Sequence, residues 1–238
     1  MSVLYIVRHA QATFLSGDYD QLSEKGFEQS RMLGRYWRDN GIAIGEVYSG
    51  SLKRQLQTAQ ACGETYASDG RVWPEVQILN GLNEYDSDVV MEKLKRELMT
   101  KHEHVRKLYH DHAAATEVSE RYRTFQKLLE AVMRYYIAGD YESTGFETWR
   151  EFHHRVNEAY RTIRNGKGHG RRVAVFTSGG PVGVSIQTCL QAPQQQAAEL
   201  NWRVYNASIT RFTFRADRIS LDQFNAMPHL PPEMQSYR

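Results

Sequence analysis

The N-terminal part of the chain alternates between an apolar run and an amphipathic stretch. Val3 to Val7 are bounded by polar residues, which is typical of a short strand buried on both faces. Ser23 resembles a helix N-cap, and the pattern after it predicts a helix to about Asn40, before the break at Gly41. The apolar face of this helix consists of Leu33, Tyr36 and Trp37.

The same alternation continues to the end of the chain, apart from a long interruption in the middle. Further strands are predicted at Glu46–Ser49, in "VQILNGLNEYD", at Val173–Thr177, and in the closing segments "SITRFTFR" and "ISLDQFN". Further helices are predicted at about Leu52–Ala67 and Val182–Leu190. Because strands that alternate with helices build parallel sheets covered on both faces, we predict an α/β fold. It should have three α/β/α layers and a mostly parallel central sheet.

The interruption is long, charged and helical. From about Ser87 to Ile137 apolar residues recur at helical spacing without a strand signal, and an amphipathic helix follows at about Thr148–Asn165. The strand–helix alternation then resumes. We therefore interpret residues 87–165 as a helical insertion within one α/β domain that spans residues 1–238.

Composition and charge narrow the range of functions. The 238 residues include 30 Lys and Arg against 28 Asp and Glu, a net charge of +2 that does not indicate nucleic-acid binding. No apolar run approaches the ~20 residues of a membrane span, and no basic leader precedes the first strand, so neither a membrane protein nor a signal peptide is expected. Cys62 and Cys189 belong to no CxxC or CxxH pattern, which favours a reduced, cytoplasmic protein without a disulfide framework or zinc site.

Four histidines in the insertion invite comparison with metal ligands. His102 and His104 are two positions apart, as are His110 and His112, and a helix turns such pairs to different faces. No HExxH pattern occurs. We therefore predict no metal and interpret this stretch as a solvated helical face, whose Lys and Arg side chains leave contact with an anionic substrate open.

Polar residues follow the ends of several predicted strands, where ligands of open α/β sheets bind. These residues are Arg8–His9, Ser51–Arg54, Glu84 and Ser178–Gly179. A buried arginine needs an anion, and two converging arginines favour a phosphate, which a guanidinium binds bidentately. A histidine beside them can act as a nucleophile, and a nearby carboxyl can protonate a leaving oxygen. The pattern predicts a phosphoryl-transfer site without a metal.

The order of these segments resembles a known family. "RHA" after the first strand, "SGSLKRQLQTA", "LNEYD" and "FTSGGP" are similar to the four motifs of the histidine phosphatase superfamily, also called the phosphoglycerate-mutase-like family. The resemblance implies that His9 takes the phosphoryl group. It implies that Arg8 and Arg54 hold the phosphate oxygens, and that Glu84 is the general acid and base.

Two further roles follow from the resemblance. Asp86 and Asp88 are alternatives to Glu84 as the acid, because this loop varies within the family. The insertion 87–165 is similar to the family's helical lid, which shapes the substrate pocket. The identity of the substrate depends on that lid and stays open.

The chain departs from the family pattern at two positions. Ala10 stands where the family usually has glycine, which is tolerated if the backbone needs no positive φ there. Ser178 stands in place of the family's second histidine, so that a neutral hydroxyl replaces a charged donor to the phosphate. The backbone N–H of Gly179 can add a hydrogen bond. We expect low but real turnover; alternatively, another residue enters the pocket, or binding is kept without catalysis.

The function implied is that of a metal-independent phosphomonoesterase without a cofactor. It would act on a small phosphorylated substrate through a phosphohistidine. A phosphoglycerate-mutase-type phosphotransferase is one alternative, although Thr13 and Phe14 stand where glycolytic mutases have Trp-Asn. A low-activity protein that binds phosphate ligands is the other, and Ser178 favours it. The oligomeric state stays open.

Overall fold

A computed structural model of the chain describes residues 1–13, 20–215 and 217–237, so that Phe14 lies outside the described residues. The strands are β1 (Ser2–Arg8), β2 (Glu46–Ser49), β3 (Val76–Ile78), β4 (Arg172–Thr177), β5 (Ile209–Phe214) and β6 (Ile219–Ala226). The α-helices are α1 (Glu24–Asp39), α2 (Lys53–Tyr66), α3 (Ser87–Lys101), α4 (Glu103–Ala114), α5 (Val118–Ala138), α6 (Trp149–Arg164), α7 (Gly179–Leu190) and α8 (Gln195–Asn201). Short 3₁₀ turns lie at Ala67–Asp69, Asn80–Leu82 and Pro232–Met234.

The described strands form one sheet in the order β3-β2-β4-β1-β5-β6. The four strands from β3 to β1 run parallel, whereas β5 is antiparallel to β1 and β6 is antiparallel to β5. The predicted α/β fold with a mostly parallel sheet is therefore confirmed. Arg8 lies opposite Thr177, and Ser49 lies opposite Phe176. The carboxyl ends of β1, β2 and β4 consequently meet at one edge of the sheet.

Alternate residues of β1 face the two helical layers, as the two-residue period of a strand requires. On one face, Tyr5 belongs to a buried cluster with Trp37 of α1 and Cys62 of α2. On the other face, Ile6 lines a small cavity together with Ser185 of α7. The sheet is thus covered on both sides, which explains why β1 reads as a continuous apolar run.

The chain divides into two compact units. The first contains Met1–Glu84 and Arg155–Arg238 and includes the whole sheet. The second is Tyr85–His154, and its buried core includes Leu94 and Leu98 of α3. The interpretation of residues 87–165 as a lid within a single domain stays a prediction.

Two histidines of the second unit, His102 and His112, make packing and hydrogen-bond contacts. The ring of His102 stacks on Tyr135 with a centroid distance of 4.3 Å, and His112 Nδ1 lies 3.2 Å from Thr124 Oγ1. Among the described residues, no group of three or more His, Cys, Asp or Glu side chains could hold a metal ion. No helix in the same part of the chain is both long enough and apolar enough to cross a membrane.

Two helices differ from the sequence-based prediction. The predicted start of α7 at Val182 is wrong, because the helix begins at Gly179. The Gly-Gly-Pro stretch suggested a turn, but Pro181 lies in the first helical turn, where its missing N–H would have no intrahelical partner. The short helix α8 was not predicted. Its sequence is largely polar, and only a small part of it is buried.

His229 is a buried titratable side chain that packs near Tyr36 of α1, with ring centroids 6.0 Å apart. Burial disfavours its charged form and lowers its pKa from 6.5 to about 4. Between these values the unfolded chain binds a proton at His229 that the folded chain does not bind. Stability is therefore lost as the pH falls from about 6.5 toward 4, by up to on the order of 3 kcal/mol.

We expect His229→Gln to remove part of this pH dependence. Urea unfolding between pH 4.5 and 7.5 would measure it, with His169→Gln as the control because His169 is an exposed loop residue. The native protein and the control should lose stability more steeply on acidification than His229→Gln. Equal slopes in all three proteins would contradict the assignment.

Candidate active site

The strand ends place the predicted polar residues at one edge of the sheet. Arg8 is the last residue of β1, and His9 follows it directly. Arg54 lies in the first turn of α2, which follows β2. Ser178 and Gly179 form the junction between β4 and α7. The parallel topology brings these segments together, as the sequence predicted for residues at strand ends.

The hydrogen bonds of His9 define which ring nitrogen carries the proton. His9 is 4% exposed, and its backbone N–H donates to the carbonyl of Thr177 at 2.7 Å. Its Nδ1 lies 2.8 Å from the carbonyl oxygen of Ala10, which can only accept, so Nδ1 carries the hydrogen. Nε2 is then unprotonated and accepts from Arg54 Nε–H at 3.3 Å. The unprotonated ring nitrogen therefore faces the arginine.

The surroundings of His9 keep its imidazole neutral. The pKa of His9 is well below its usual value, chiefly because the ring is buried. The positive charges of Arg54 and then Arg8 lower the pKa further. A neutral imidazole retains a nucleophilic lone pair near neutral pH, whereas a protonated one does not.

Arg54 is held on one side by His9 and on the other by Asp20. Arg54 is 8% exposed, and its Nη1 lies 2.7 Å from Asp20 Oδ1. The same carboxylate accepts from the backbone N–H of Lys53 at 3.0 Å and of Arg54 at 3.4 Å. Asp20 therefore provides the N-terminal cap of α2, since the Leu52 side chain at the N-cap position cannot accept a hydrogen bond.

The role of Asp20 was not predicted from the sequence. It lies 34 positions before Arg54, so no local spacing connects the two residues. The only available signal was the lack of a capping side chain at Leu52, which indicates that some distant acceptor must serve the start of α2.

Arg8 is held by the segment that precedes β5. Its Nη1 donates to the carbonyl of Val204, in the segment before β5. The backbone around it is held by the N–H of Ala207, which donates to the carbonyl oxygens of Arg8 and His9 at 3.1 and 3.3 Å. The backbone of Arg8 is thus held in place beside His9, and the positive charge of its side chain lowers the pKa of His9.

Glu84 is brought to the start of α7. Its Oε2 accepts from the backbone N–H of Gly180 at 2.9 Å. Arg155 holds the backbone that carries Glu84, donating to the carbonyls of Gly81, Asn83 and Glu84 at 3.1, 2.8 and 3.3 Å. Arg155 was not predicted as a functional residue, because it lies 71 positions after Glu84 in a helix with an ordinary amphipathic pattern.

Asp86, an alternative to Glu84 in the sequence, has a different structural role. Its Oδ1 accepts from the backbone N–H groups of Asp88 and Val89 at 3.2 and 3.0 Å, so it caps α3. Glu84 instead contacts the helix that begins at the β4 strand end. The two carboxyl groups therefore serve the starts of different helices, Asp86 that of α3 and Glu84 that of α7.

Ser178 and Gly179 occupy the end of β4 in tight packing. Ser178 is 1% exposed, and its Oγ accepts from Gln55 Nε2 at 2.9 Å rather than capping α7. Gly179 permits the close approach of Asn201, because a Cβ there would lie 2.0 Å from Asn201 Oδ1. Gln55, a neighbour of Arg54 on α2, was not predicted as a site residue.

Comparison of the sequence with models of known protein families identifies the family of this chain. The model of the histidine phosphatase superfamily, branch 1, matches residues 4–144 and 135–227. The chain belongs to the histidine phosphatase superfamily. No curated protein matches its sequence. As a superfamily member it lacks glycine at Ala10, but Ala10 has no positive φ, so this departure causes no backbone strain.

Several solved structures share the fold of this chain at low sequence identity. YhfR from Bacillus stearothermophilus is 16% identical with a TM-score of 0.65, over 96% of this chain and 99% of that one. A phosphoserine phosphatase from Entamoeba histolytica is 18% identical with a TM-score of 0.61, over 97% and 100%. A phosphoglycerate mutase from Bacillus anthracis is 20% identical with a TM-score of 0.62, over 96% and 94%. These likenesses establish the fold.

We predict that His9 stays neutral, with its proton on Nδ1, well below pH 6.5. Imidazole ¹⁵N shifts measured by NMR from pH 5 to 8 would report both the tautomer and the pKa. Arg54→Met should raise the pKa of His9, because it removes a positive charge beside the ring. Arg35→Met, on the half-exposed ion pair with Glu28, is the matched control and should change nothing. A native His9 that titrates near 6.5 would contradict the electrostatic description.

Proposed function

We propose that this superfamily member is a metal-independent phosphomonoesterase that acts on a small phosphorylated substrate through a phosphohistidine at His9. The observation that carries the proposal is the buried, neutral His9, whose unprotonated Nε2 faces Arg54. A nucleophile and a cation meet there at the edge of the sheet where ligands of α/β proteins bind.

In the first step, the lone pair of His9 Nε2 attacks the phosphorus in line with the leaving oxygen. The N–P bond forms as the bond between phosphorus and the leaving oxygen breaks. Arg54 Nε, which donates to Nε2 in the free protein, then turns to an equatorial phosphoryl oxygen, and Arg8 adds a second positive charge. Cations beside the phosphoryl oxygens stabilise the negative charge that develops in the transition state.

Glu84 acts as the general acid in the first step and as the general base in the second. Its protonated carboxyl gives a proton to the departing alkoxide, and the resulting carboxylate takes a proton from the water that attacks the phosphohistidine. The N–P bond breaks, and inorganic phosphate leaves with His9 and Glu84 restored. The hydrogen bonds from Arg155 to the carbonyls of Gly81, Asn83 and Glu84 hold this backbone segment, which supports a fixed position for the Glu84 carboxyl.

The similar structures include both a phosphatase and a mutase, so the fate of the phosphohistidine separates two activities. Hydrolysis by water defines the phosphatase that we propose, whereas return of the phosphoryl group to a second hydroxyl would define a mutase. Turnover of p-nitrophenyl phosphate in EDTA, with release of inorganic phosphate, supports the phosphatase. Tight binding of phosphate esters without turnover would favour a binding protein, and the neutral Ser178 is consistent with that alternative.

The first test concerns the nucleophile. Rapid-quench labelling with ³²P-phosphorylated substrate should trap an acid-labile phosphoenzyme in the native protein and none in His9→Ala. Turnover by the variant should fall by on the order of 10³-fold or more, because the covalent route is lost. His169→Ala, at an exposed loop position, should label normally. Normal turnover in His9→Ala would refute the mechanism.

The second test concerns the acid. Glu84→Gln keeps an acceptor for the Gly180 N–H but has no proton to transfer. We expect kcat on alkyl phosphates to fall by roughly 10²–10⁴-fold, and kcat on p-nitrophenyl phosphate far less, because nitrophenolate leaves without protonation. Glu64→Gln, an exposed change on α2, is the control. Equal losses on both substrates would assign Glu84 a structural role and direct attention to Asp88.

A further inference from the structure

Gln55 and Ser178 form a buried hydrogen-bonded pair beside the candidate active site. Their exposed fractions are 0% and 1%, and Gln55 Nε2 lies 2.9 Å from Ser178 Oγ. The same Nε2 lies 3.2 Å from the carbonyl oxygen of Leu82. Gln55 directly follows Arg54 on α2, so one helical turn contacts both His9 and Ser178.

The Leu82 carbonyl determines how the Gln55 amide is oriented. A carbonyl oxygen can only accept, so the amide atom that faces it must be the NH₂ group. The second hydrogen of that NH₂ group then points to Ser178 Oγ, which acts as the acceptor. The hydrogen of the Ser178 hydroxyl is therefore left to donate elsewhere. Within the described residues Ser178 Oγ–H meets no acceptor.

The strand register places Ser178 alongside His9. Arg8 lies opposite Thr177 in the parallel pair β1–β4, and the backbone N–H of His9 donates to the Thr177 carbonyl. Ser178 is thus the next residue beyond the pairing, alongside the nucleophile proposed above. A phosphoryl group on His9 Nε2 would bring acceptor oxygens to this corner.

We propose that Gln55 is a positioning residue that aims the Ser178 hydroxyl as a neutral hydrogen-bond donor at a phosphoryl oxygen of the substrate. This inference rests on the proposed function, because it places a phosphoryl group at His9. Neither an amide nor a serine hydroxyl titrates near neutral pH. The contact should therefore contribute equally on both sides of pH 6.5, whereas a histidine at this place would supply a charged donor only when protonated.

The packing of Gln55 keeps it in this orientation. Its Oε1 is buried without a hydrogen-bond partner in the described part of the chain, which carries an energetic cost. The atom lies against Gly50, where a Cβ would be only 2.0 Å away. The absence of a side chain at Gly50 therefore makes room for Gln55 Oε1, while the NH₂ group at the other side of the amide contacts Ser178. An unsatisfied buried acceptor is rare in folded proteins and calls for a reason, which the aimed Ser178 hydroxyl provides.

A double-mutant cycle tests the proposal. Gln55→Met keeps the approximate shape but removes the donor, and Ser178→Ala removes the hydroxyl. Each should weaken inorganic phosphate binding, measured by calorimetry, and lower kcat/KM by roughly two- to tenfold. The double variant should be no worse than Ser178→Ala alone, because Gln55 acts only through the serine. The losses should be the same at pH 5.5 and pH 8.

Gln60→Met is the matched control, since Gln60 is an exposed glutamine of the same helix that donates to Glu64. It should leave phosphate binding and kcat/KM unchanged. Losses that multiply in the double variant would show that Gln55 acts independently of Ser178 and would overturn the proposal. If Gln55→Met does not fold, Ser178→Ala still decides: unchanged phosphate affinity would show that the hydroxyl does not contact the phosphate.

The experiment separates this inference from the proposed function. Normal turnover with multiplicative losses would refute the role of Gln55 and leave the phosphatase proposal intact. A protein that does not turn over phosphomonoesters would refute the phosphatase proposal. If its double variant still binds phosphate no worse than Ser178→Ala alone, the role of Gln55 would be supported all the same.

Discussion

The contact between His9 Nε2 and Arg54 Nε–H is the interaction on which the proposed chemistry depends. Burial and positive charge together keep the imidazole neutral, and the Ala10 carbonyl directs its proton to Nδ1. A histidine in water would be partly protonated near neutral pH and would lose its nucleophilic lone pair. The arginine that disfavours protonation of the ring is also the cation that can receive a phosphoryl oxygen. One pair of side chains thus prepares both the nucleophile and the anion site.

That pair is supported by residues outside the recognisable motifs. Asp20 caps α2 and holds one end of the Arg54 guanidinium, which keeps the arginine beside His9. Arg155 fixes the backbone before Glu84, and Gln55 connects α2 to the end of β4. Each of these contacts is a charge-assisted or buried hydrogen bond, the kind that loses most when one partner is removed. The geometry of the site therefore depends on the packing of α2 as much as on the strand ends.

Sequence patterns predicted the elements whose causes are local. The apolar run of β1 and the cap at Ser23, whose Oγ accepts from the Gly26 N–H, depend on adjacent residues. The strand ends could be predicted to meet because parallel strands share their carboxyl edge. Asp20 and Arg155 could not be assigned, since their partners lie 34 and 71 positions away and contact depends on the folded chain. The start of α7 was missed because Gly-Gly-Pro is equally compatible with a turn and with a first helical turn.

In the proposed chemistry, Arg54 exchanges its contact with His9 Nε2 for a phosphoryl oxygen as Nε2 bonds to phosphorus. A crystal structure of the protein with orthovanadate, which mimics the five-coordinate phosphorus of the transition state, tests this most directly. We expect vanadium bonded to His9 Nε2, with the Arg54 guanidinium on an equatorial oxygen and Nδ1 still within hydrogen-bond distance of the Ala10 carbonyl oxygen. Vanadate bound elsewhere, or bound nearby while Arg54 still donates to His9 Nε2, would contradict the proposed chemistry.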